Sequence, residues 1–210
     1  MIVKYDQPEI IKPIQEVIGV DLGIKELATL SNEEVFHNPK NTKRFQGRLR
    51  LAQKSLSRKQ LRSANRNRQR IKVSKIHKKI KNCRLDNLHK VTSSITKTKC
   101  RTIVLEDLNV KGMVKNHKLA KAISDASFCE FKRQVQYKTI FYGGEVSLID
   151  RWFPSSKLCS NCGNIKKDLT LSDRTYNCEC GFSLDRDLNA AINIKNYYIN
   201  NQRTESFSES

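Results

Sequence analysis

Two closely spaced cysteine pairs constrain this chain more than any other feature. Cys159 and Cys162 lie in KLCSNCG, Cys178 and Cys180 in YNCECG, and a short polar segment separates them. Thiolates at such spacing complete a closed tetrahedral zinc shell, so a knuckle built on Cys159, Cys162, Cys178 and Cys180 is predicted, with structural zinc as its cofactor. The string DRDLNAAINI follows almost at once and opens a helical pattern with two acids, Asp185 and Asp187. Carboxylates are hard oxygen donors suited to magnesium rather than to a thiolate metal. Residues 155–194 therefore carry two kinds of metal ligand, and the knuckle sets where the second kind enters a site that earlier residues must complete. The other cysteines, Cys83, Cys100 and Cys129, stand alone and read as small hydrophobes.

Earlier in the chain, several short apolar runs read as strands. VIGV ends at Asp21, with Gly23 permitting a turn into a second strand over residues 27–30 and a third over 34–37. TIVL, from Thr102, ends in Glu106 and Asp107, and VSLI gives a further strand at 146–149. A carboxylate beside a β-branched run is costly unless paired or metal-bound, although Asp21 can also be read as a turn cap. Residues 44–63 and 66–97 are rich in helix formers, with apolar stripes at Phe45, Leu49, Ala52, Leu56 and at Val73, Ile76, Ile80, Cys83, Leu88, Val91, Ile95. They read as two antiparallel helices. Residues 111–121 read as a loop, and Ser124 or Asp125 as the cap of a helix whose apolar face is Phe128, Phe131, Val135 and Tyr142. Residues 1–16 look like a connector and 201–210 like a disordered polar tail.

Charge is distributed very unevenly. Residues 40–101 hold 22 Lys and Arg and a single acid, Asp86, while the whole chain carries +19. Solvated faces usually mix signs, and so many like charges repel unless a polyanion compensates them. Arg58, Lys59, Arg62, Arg66, Arg68, Arg70, Lys72, Lys75, Lys78 and Lys79 are thus candidate nucleic-acid contacts. Long cations without interleaved aromatics suit phosphates rather than base readout. No run approaches the roughly 18 apolar residues of a membrane span, and the start MIVKYDQPEI has no apolar signal core. An intracellular, cytoplasmic protein with no membrane partner is expected.

Taken together, an acid at the end of each of two strands and a third at a helix start, in the order Asp, Glu, Asp, form the layout of an RNase H-like nuclease. Clustered carboxylates of that kind hold two divalent cations roughly 4 Å apart. The strings GVDLGIKELATLS, IVLEDLNVKGM, PSSKLCSNCG and DRDLNAAINI resemble those of the TnpB (OrfB) proteins of bacterial transposons, relatives of type V CRISPR effector nucleases. The resemblance runs over residues 17–197. It implies an α/β fold of RuvC type: a mixed sheet with helices, a basic helical hairpin insertion over 44–99, and an inserted zinc ribbon over 151–183. The nuclease core would span 17–150 and be completed by a final helix over 184–200. By the same resemblance Asp21, Glu106 and Asp187 are the catalytic, magnesium-binding acids, with Asp185 the second choice for the last position. The implied activity is RNA-guided, metal-dependent DNA cleavage, with DNA and guide RNA as partners in a prokaryotic, nucleoid-associated setting. Two departures stand out: members carry a substantial portion ahead of the first nuclease strand, where this chain has only residues 1–16, and the second cysteine pair is Cys-x-Cys rather than Cys-x-x-Cys. A nucleic-acid-binding remnant that does not cut is the competing reading, and a free-standing zinc-ribbon module a third.

Overall fold

The computed structural model describes residues 15–98, 100–170 and 172–208. Nearly continuous apolar runs, such as VIGV and TIVL, suit strands covered on both faces. They form the parallel pair at the centre of a five-stranded mixed sheet: β1 (Gln15–Leu22) and β4 (Cys100–Glu106), in register from Gln15 opposite Cys100 to Val20 opposite Leu105. Antiparallel to β1 runs β2 (Glu26–Leu30), followed by β3 (Val35–His37), while β5 (Glu145–Ile149) lies parallel on the other side of β4. The strand order is therefore β3-β2-β1-β4-β5.

Alternation along the strands divides the core in two. On one face Ile18, Val20, Leu27, Ile103 and Leu105 pack with Leu88, Val91 and Ile95 of α2 (Ala64–Lys97) and with Phe128, Phe131 and Val135 of α5 (Phe128–Phe141). On the other, Val104 and Ile149 pack with Ile194 of α6 (Arg186–Ser208), flanked by Val17, Phe153, Tyr197 and Tyr198. Gly19 faces this second side. A Cβ on it would lie 2.2 Å from the Ala191 carbonyl oxygen and 2.7 Å from the Lys195 nitrogen, so α6 crosses β1 in backbone contact. Glycine inside a strand marks such an approach.

The basic segment is a helical hairpin, as expected, with different bounds: α1 (Asn41–Ser57) and α2 leave a turn in which Arg62 has a φ of 61°. Of the hairpin's apolar side chains only Ile80, Leu88, Val91 and Ile95 of α2 are well buried; Phe45, Leu49, Ala52, Leu56, Val73 and Ile76 are half-buried in a thin seam between the helices. The hairpin is tied to the core by Asp125, which accepts from the Thr42 backbone N–H (2.9 Å), the Thr42 hydroxyl (2.7 Å) and Arg84 (3.0 Å).

Several expectations are corrected. Residues 111–121 are not a loop: α3 (Val110–Val114) and α4 (His117–Ala126) occupy most of that stretch, capped by Asn109, accepting from the Gly112 N–H, and by Asn116, accepting from the Lys118 N–H. Asn at these positions satisfies orphan N–H groups, which compensates for the sparse apolar pattern. Asp125 lies inside α4 rather than capping α5, and Ser127, with a φ of 56°, makes the corner between those helices. The expected disordered tail is helical as far as Ser208, because α6 continues through it. Of the expected connector, Gln15 and Glu16 already belong to β1, and residues 1–14 lie outside the described residues. Among the described residues no helix is long and apolar enough to cross a membrane.

Candidate metal and nucleic-acid site

Because β1 and β4 are parallel, both deliver their terminal acids to the same end of the sheet. Asp21 and Glu106 each follow the paired residues Val20 and Leu105, and Glu106 lies opposite Ile149 of β5. Ile149 belongs to the side of the sheet that packs against α6, so paired alternation puts both acids on that side. Asp187 lies in the first turn of α6. All three carboxylates are half-buried. Burial, then the charges of Asp187 and Glu106, push Asp21 up to about 7. Burial likewise raises Glu106; Asp187 is raised by burial and by Asp185, against the pull of Arg174, Arg186 and Lys25. Hard oxygen donors with unrelieved mutual repulsion fit divalent magnesium. They do not close to the spacing of a single-ion cage, since among the described residues the four cysteines are the group of three or more whose ligand atoms all converge.

The two acids of the doublet have different work. Asp185 is exposed, and its Oδ1 accepts from the Asp187 N–H (2.9 Å) and the Leu188 N–H (3.1 Å), which is the bonding of an N-cap. Asp187, one position inside the helix, is left free to face Asp21. Arg186 between them donates to the Thr170 and Asp173 carbonyls at 2.9 and 3.4 Å, and its Nε is buried without a partner.

The cysteine sulfurs all lie within 4.8 Å of one another, with Cys159 to Cys180 at 3.9 Å and Cys162 to Cys178 at 3.6 Å. A tetrahedron with Zn–S bonds of about 2.3 Å requires sulfurs roughly 3.8 Å apart, so the residues fit zinc. The short Cys-x-Cys pair reaches the cluster because Gly181, at a φ of 85°, folds the chain back and lets the Cys178 N–H donate to the Phe182 carbonyl (2.8 Å). The four thiols act on one another: the Phe182 backbone, ahead of the neighbouring thiols, lowers Cys180 to about 6, whereas Cys178, against the pull of the Cys180 backbone, is pushed up to about 12 by burial and the other thiols. Behind the cluster, β6 (Thr175–Asn177) and β7 (Ser183–Asp185) form a small hairpin, and the fully buried Tyr176 donates its hydroxyl to the Lys157 carbonyl (3.0 Å). The ribbon thus runs to Asp185, past the expected boundary at 183, and passes straight into α6.

Sequence reading missed the residues that position this assembly. Asn189 donates to the Leu158 carbonyl (2.7 Å) and accepts from the Ser160 N–H (3.1 Å), and Asn193 donates to the Ser155 and Leu158 carbonyls. Spaced i, i+4, they bolt the ribbon to α6 while Ala191 and Ile194 meet the sheet. Two polar residues at that spacing in the otherwise apolar run 188–194 were the available signal. Asp107, next to Glu106, was also passed over. It holds Lys132 (3.1 Å) and Arg151 (2.6 Å), whose hydrogen bonds and charges pull its carboxyl below the usual range.

Of the ten candidate nucleic-acid cations, Arg58, Arg62, Arg68, Arg70, Lys72, Lys75, Lys78 and Lys79 are exposed along the hairpin. Lys59 and Arg66 are half-buried, and Arg66 donates to the Leu56 and Lys59 carbonyls, closing the turn rather than facing solvent.

Comparison with known proteins bears on the same elements. The family model OrfB_IS605, described as "Probable transposase", matches residues 1–117, and the model "Cas12f1-like, TNB domain" matches residues 128–194. A "Putative RNA-guided DNA endonuclease" of Streptomyces pristinaespiralis is 47% identical over 177 residues, covering 84% of this chain and 44% of that protein. The "Putative RNA-guided DNA endonuclease InsQ" of Escherichia coli K12 is 34% identical, covering 88% of this chain and 49% of that one. This chain therefore spans about half the length of these relatives. A solved "Cas12f1-sgRNA-target DNA complex" shares the fold, with a TM-score of 0.63 at 19% identity over 85% of this chain and 49% of the other. The sheet, the cysteine ribbon and the start of the final helix fall within the matched residues, and the chain belongs to the TnpB (OrfB) family of transposon-encoded proteins.

Proposed function

We propose that this chain is the RuvC-type, RNase H-like nuclease part of an RNA-guided DNA endonuclease, cleaving phosphodiesters with Asp21, Glu106 and Asp187 as catalytic acids. The observation that carries this reading is the gathering of three half-buried carboxylates from β1, β4 and α6 on one side of the sheet, where Asp21 feels both of the others. Bound there, magnesium would activate a water and stabilise the leaving oxygen of the phosphodiester. Asp21 and Glu106 are held by the central strands, and Asp187 is aimed by its cap, Asp185, and by a ribbon bolted to α6. The ribbon's role is structural, with Cys159, Cys162, Cys178 and Cys180 holding zinc. The exposed cations of the hairpin grip phosphates without reading sequence, while specificity in a guided enzyme comes from base pairing. The names of the relatives support DNA as substrate and RNA as guide.

The test is magnesium-dependent cleavage by the chain and by Asp21→Ala, Glu106→Ala and Asp187→Ala. Each is assayed on single-stranded DNA, and again with guide RNA and the parts of the Streptomyces relative outside the matched segment supplied. Loss of cutting with retained binding in all three variants is expected. If the parent chain never cuts in either format, it is a binding remnant instead.

A further inference from the structure

The turn after β5 combines two anchored side chains with one that stands largely in solvent. Arg151 is held by Asp107 at 2.6 Å, and Phe153 packs against Tyr197 with ring centroids 4.4 Å apart. Between them Asp150 accepts from the Trp152 N–H at 2.6 Å, and the Phe153 N–H donates to the Asp150 carbonyl at 3.2 Å. The backbone is thus fixed at four consecutive residues while the Trp152 ring stands 83% exposed. An exposed indole on a backbone held in this way offers a flat aromatic face on which a ligand can stack.

Its place defines the ligand. Ile149 is paired with Glu106, and the Asp107 N–H donates to the Ile149 carbonyl at 3.2 Å, so Trp152 follows three residues after a position beside the acids. Three residues span at most about 10 Å. A cleft of about 430 Å³ opens at the same edge on the α5 side of the sheet; Glu106, Lys111, Lys132, Arg133 and Arg151 line it, and Trp152 follows directly after the last of these. Cations that track a phosphate backbone beside an aromatic face are the two components of a single-stranded nucleic-acid platform. Inside duplex DNA the bases are stacked on one another, so away from the two end pairs none offers a face to the indole.

We propose that Trp152 stacks on an unpaired base of the DNA strand entering the acid site, while Lys132 and Arg151, held in place by Asp107, receive the adjoining phosphate. This rests on the nuclease reading for the identity of the strand, but the stacking itself can be tested without cutting. Trp152 is the only tryptophan in the chain, so its emission reports on the platform alone.

The experiment titrates the full chain, without added magnesium, with (dT)12, with an abasic dodecamer, with (rU)12 and with a blunt duplex. Tryptophan emission is followed alongside the anisotropy of labelled strands. Saturable quenching by (dT)12, and none by the abasic strand or the duplex even where they bind, is the expected result. Trp152→Ala should weaken (dT)12 binding about 5- to 100-fold and Trp152→Phe should restore most of it. Replacing hairpin arginines should weaken binding but leave the quench at saturation intact. Binding of (dT)12 with unchanged emission, equal quenching by the abasic strand, no binding of (dT)12, or unaltered affinity in Trp152→Ala would each overturn the proposal. Stronger quenching by (rU)12 than by (dT)12 would overturn its assignment to DNA. Quenching in a chain that never cuts would sink the nuclease reading and leave the platform standing; normal cutting by Trp152→Ala would do the reverse.

Discussion

Gly19→Ala adds one carbon where β1 and α6 meet. That carbon would lie 2.2 Å from the Ala191 carbonyl oxygen, 2.7 Å from the Lys195 nitrogen and 3.0 Å from the Lys195 Cβ, whereas ordinary contact begins at 3.4 Å. Since the closest neighbours are backbone, no rotamer change relieves the clash; α6 must retreat by about 1.2 Å, the difference between 3.4 and 2.2 Å. Overpacking a close-packed core costs about 1–3 kcal/mol, and backbone neighbours put this case at the upper end. Reduced freedom of the unfolded chain returns about 0.4–1 kcal/mol. A net loss of about 2 kcal/mol, or about 4–8 °C in melting temperature at this size, is expected. The same retreat carries Asp187 away from Asp21 and Glu106, and a misplacement of about 1 Å can cost about 100-fold in rate. Calorimetry and magnesium-dependent cleavage measure the two effects. The matched control is Gly47→Ala in α1, where a Cβ meets nothing within 4 Å and about 0.5–1 kcal/mol should be gained. A Gly19→Ala protein that melts and cuts like its parent would show that α6 does not lie on β1 as described.

Purified protein should hold one zinc per chain, and Cys178→Ser should lower that content; metal analysis finding none would remove the structural role assigned to the ribbon. Asp185→Ala should cost about 1 kcal/mol and Asp185→Asn almost nothing, because asparagine caps as well, whereas Asp187→Asn should abolish cutting without lowering the melting temperature. Should Asp185→Asn be the variant that stops cutting, the roles within the doublet are reversed. Asp125→Ala strips Arg84 and the Thr42 N–H of their common acceptor, and denaturant titration should register a loss of about 2–3 kcal/mol, moderated by the partial exposure of Arg84. Replacing Arg62, Arg68, Arg70 and Lys72 with Gln, while sparing Arg66 in its turn, should flatten the salt dependence of duplex binding by about 0.9 for each phosphate no longer neutralised. An unchanged slope would reduce the hairpin to a solvated face.

The sequence by itself carried whatever depends on near neighbours. Apolar runs marked β1, β4 and, interrupted by Ser147, β5, and the cysteine spacing marked the cluster. The lopsided charge of residues 40–101 marked the hairpin. Each is a pattern that burial, metal coordination or charge repulsion imposes within a few residues. Residues 111–121 were misread because their apolar anchors are few, and caps at Asn109 and Asn116 complete helices that periodicity alone does not reveal. Only the tertiary structure could assign Asp125, since the partners that decide its role, Arg84 and Thr42, are 41 and 83 residues away. It also separated Asp185 from Asp187. Both are aspartates in one short string, but the first meets the orphan N–H groups of α6 and the second enters the field of Asp21. Gly19 makes the same point from the backbone: its sequence offers a glycine in a strand, and the reason appears only when α6, more than 150 residues later, comes to rest against it. Local forces choose the elements; which faces then meet is fixed by packing between distant ones, and the acids, the ribbon and the indole take their positions from those meetings.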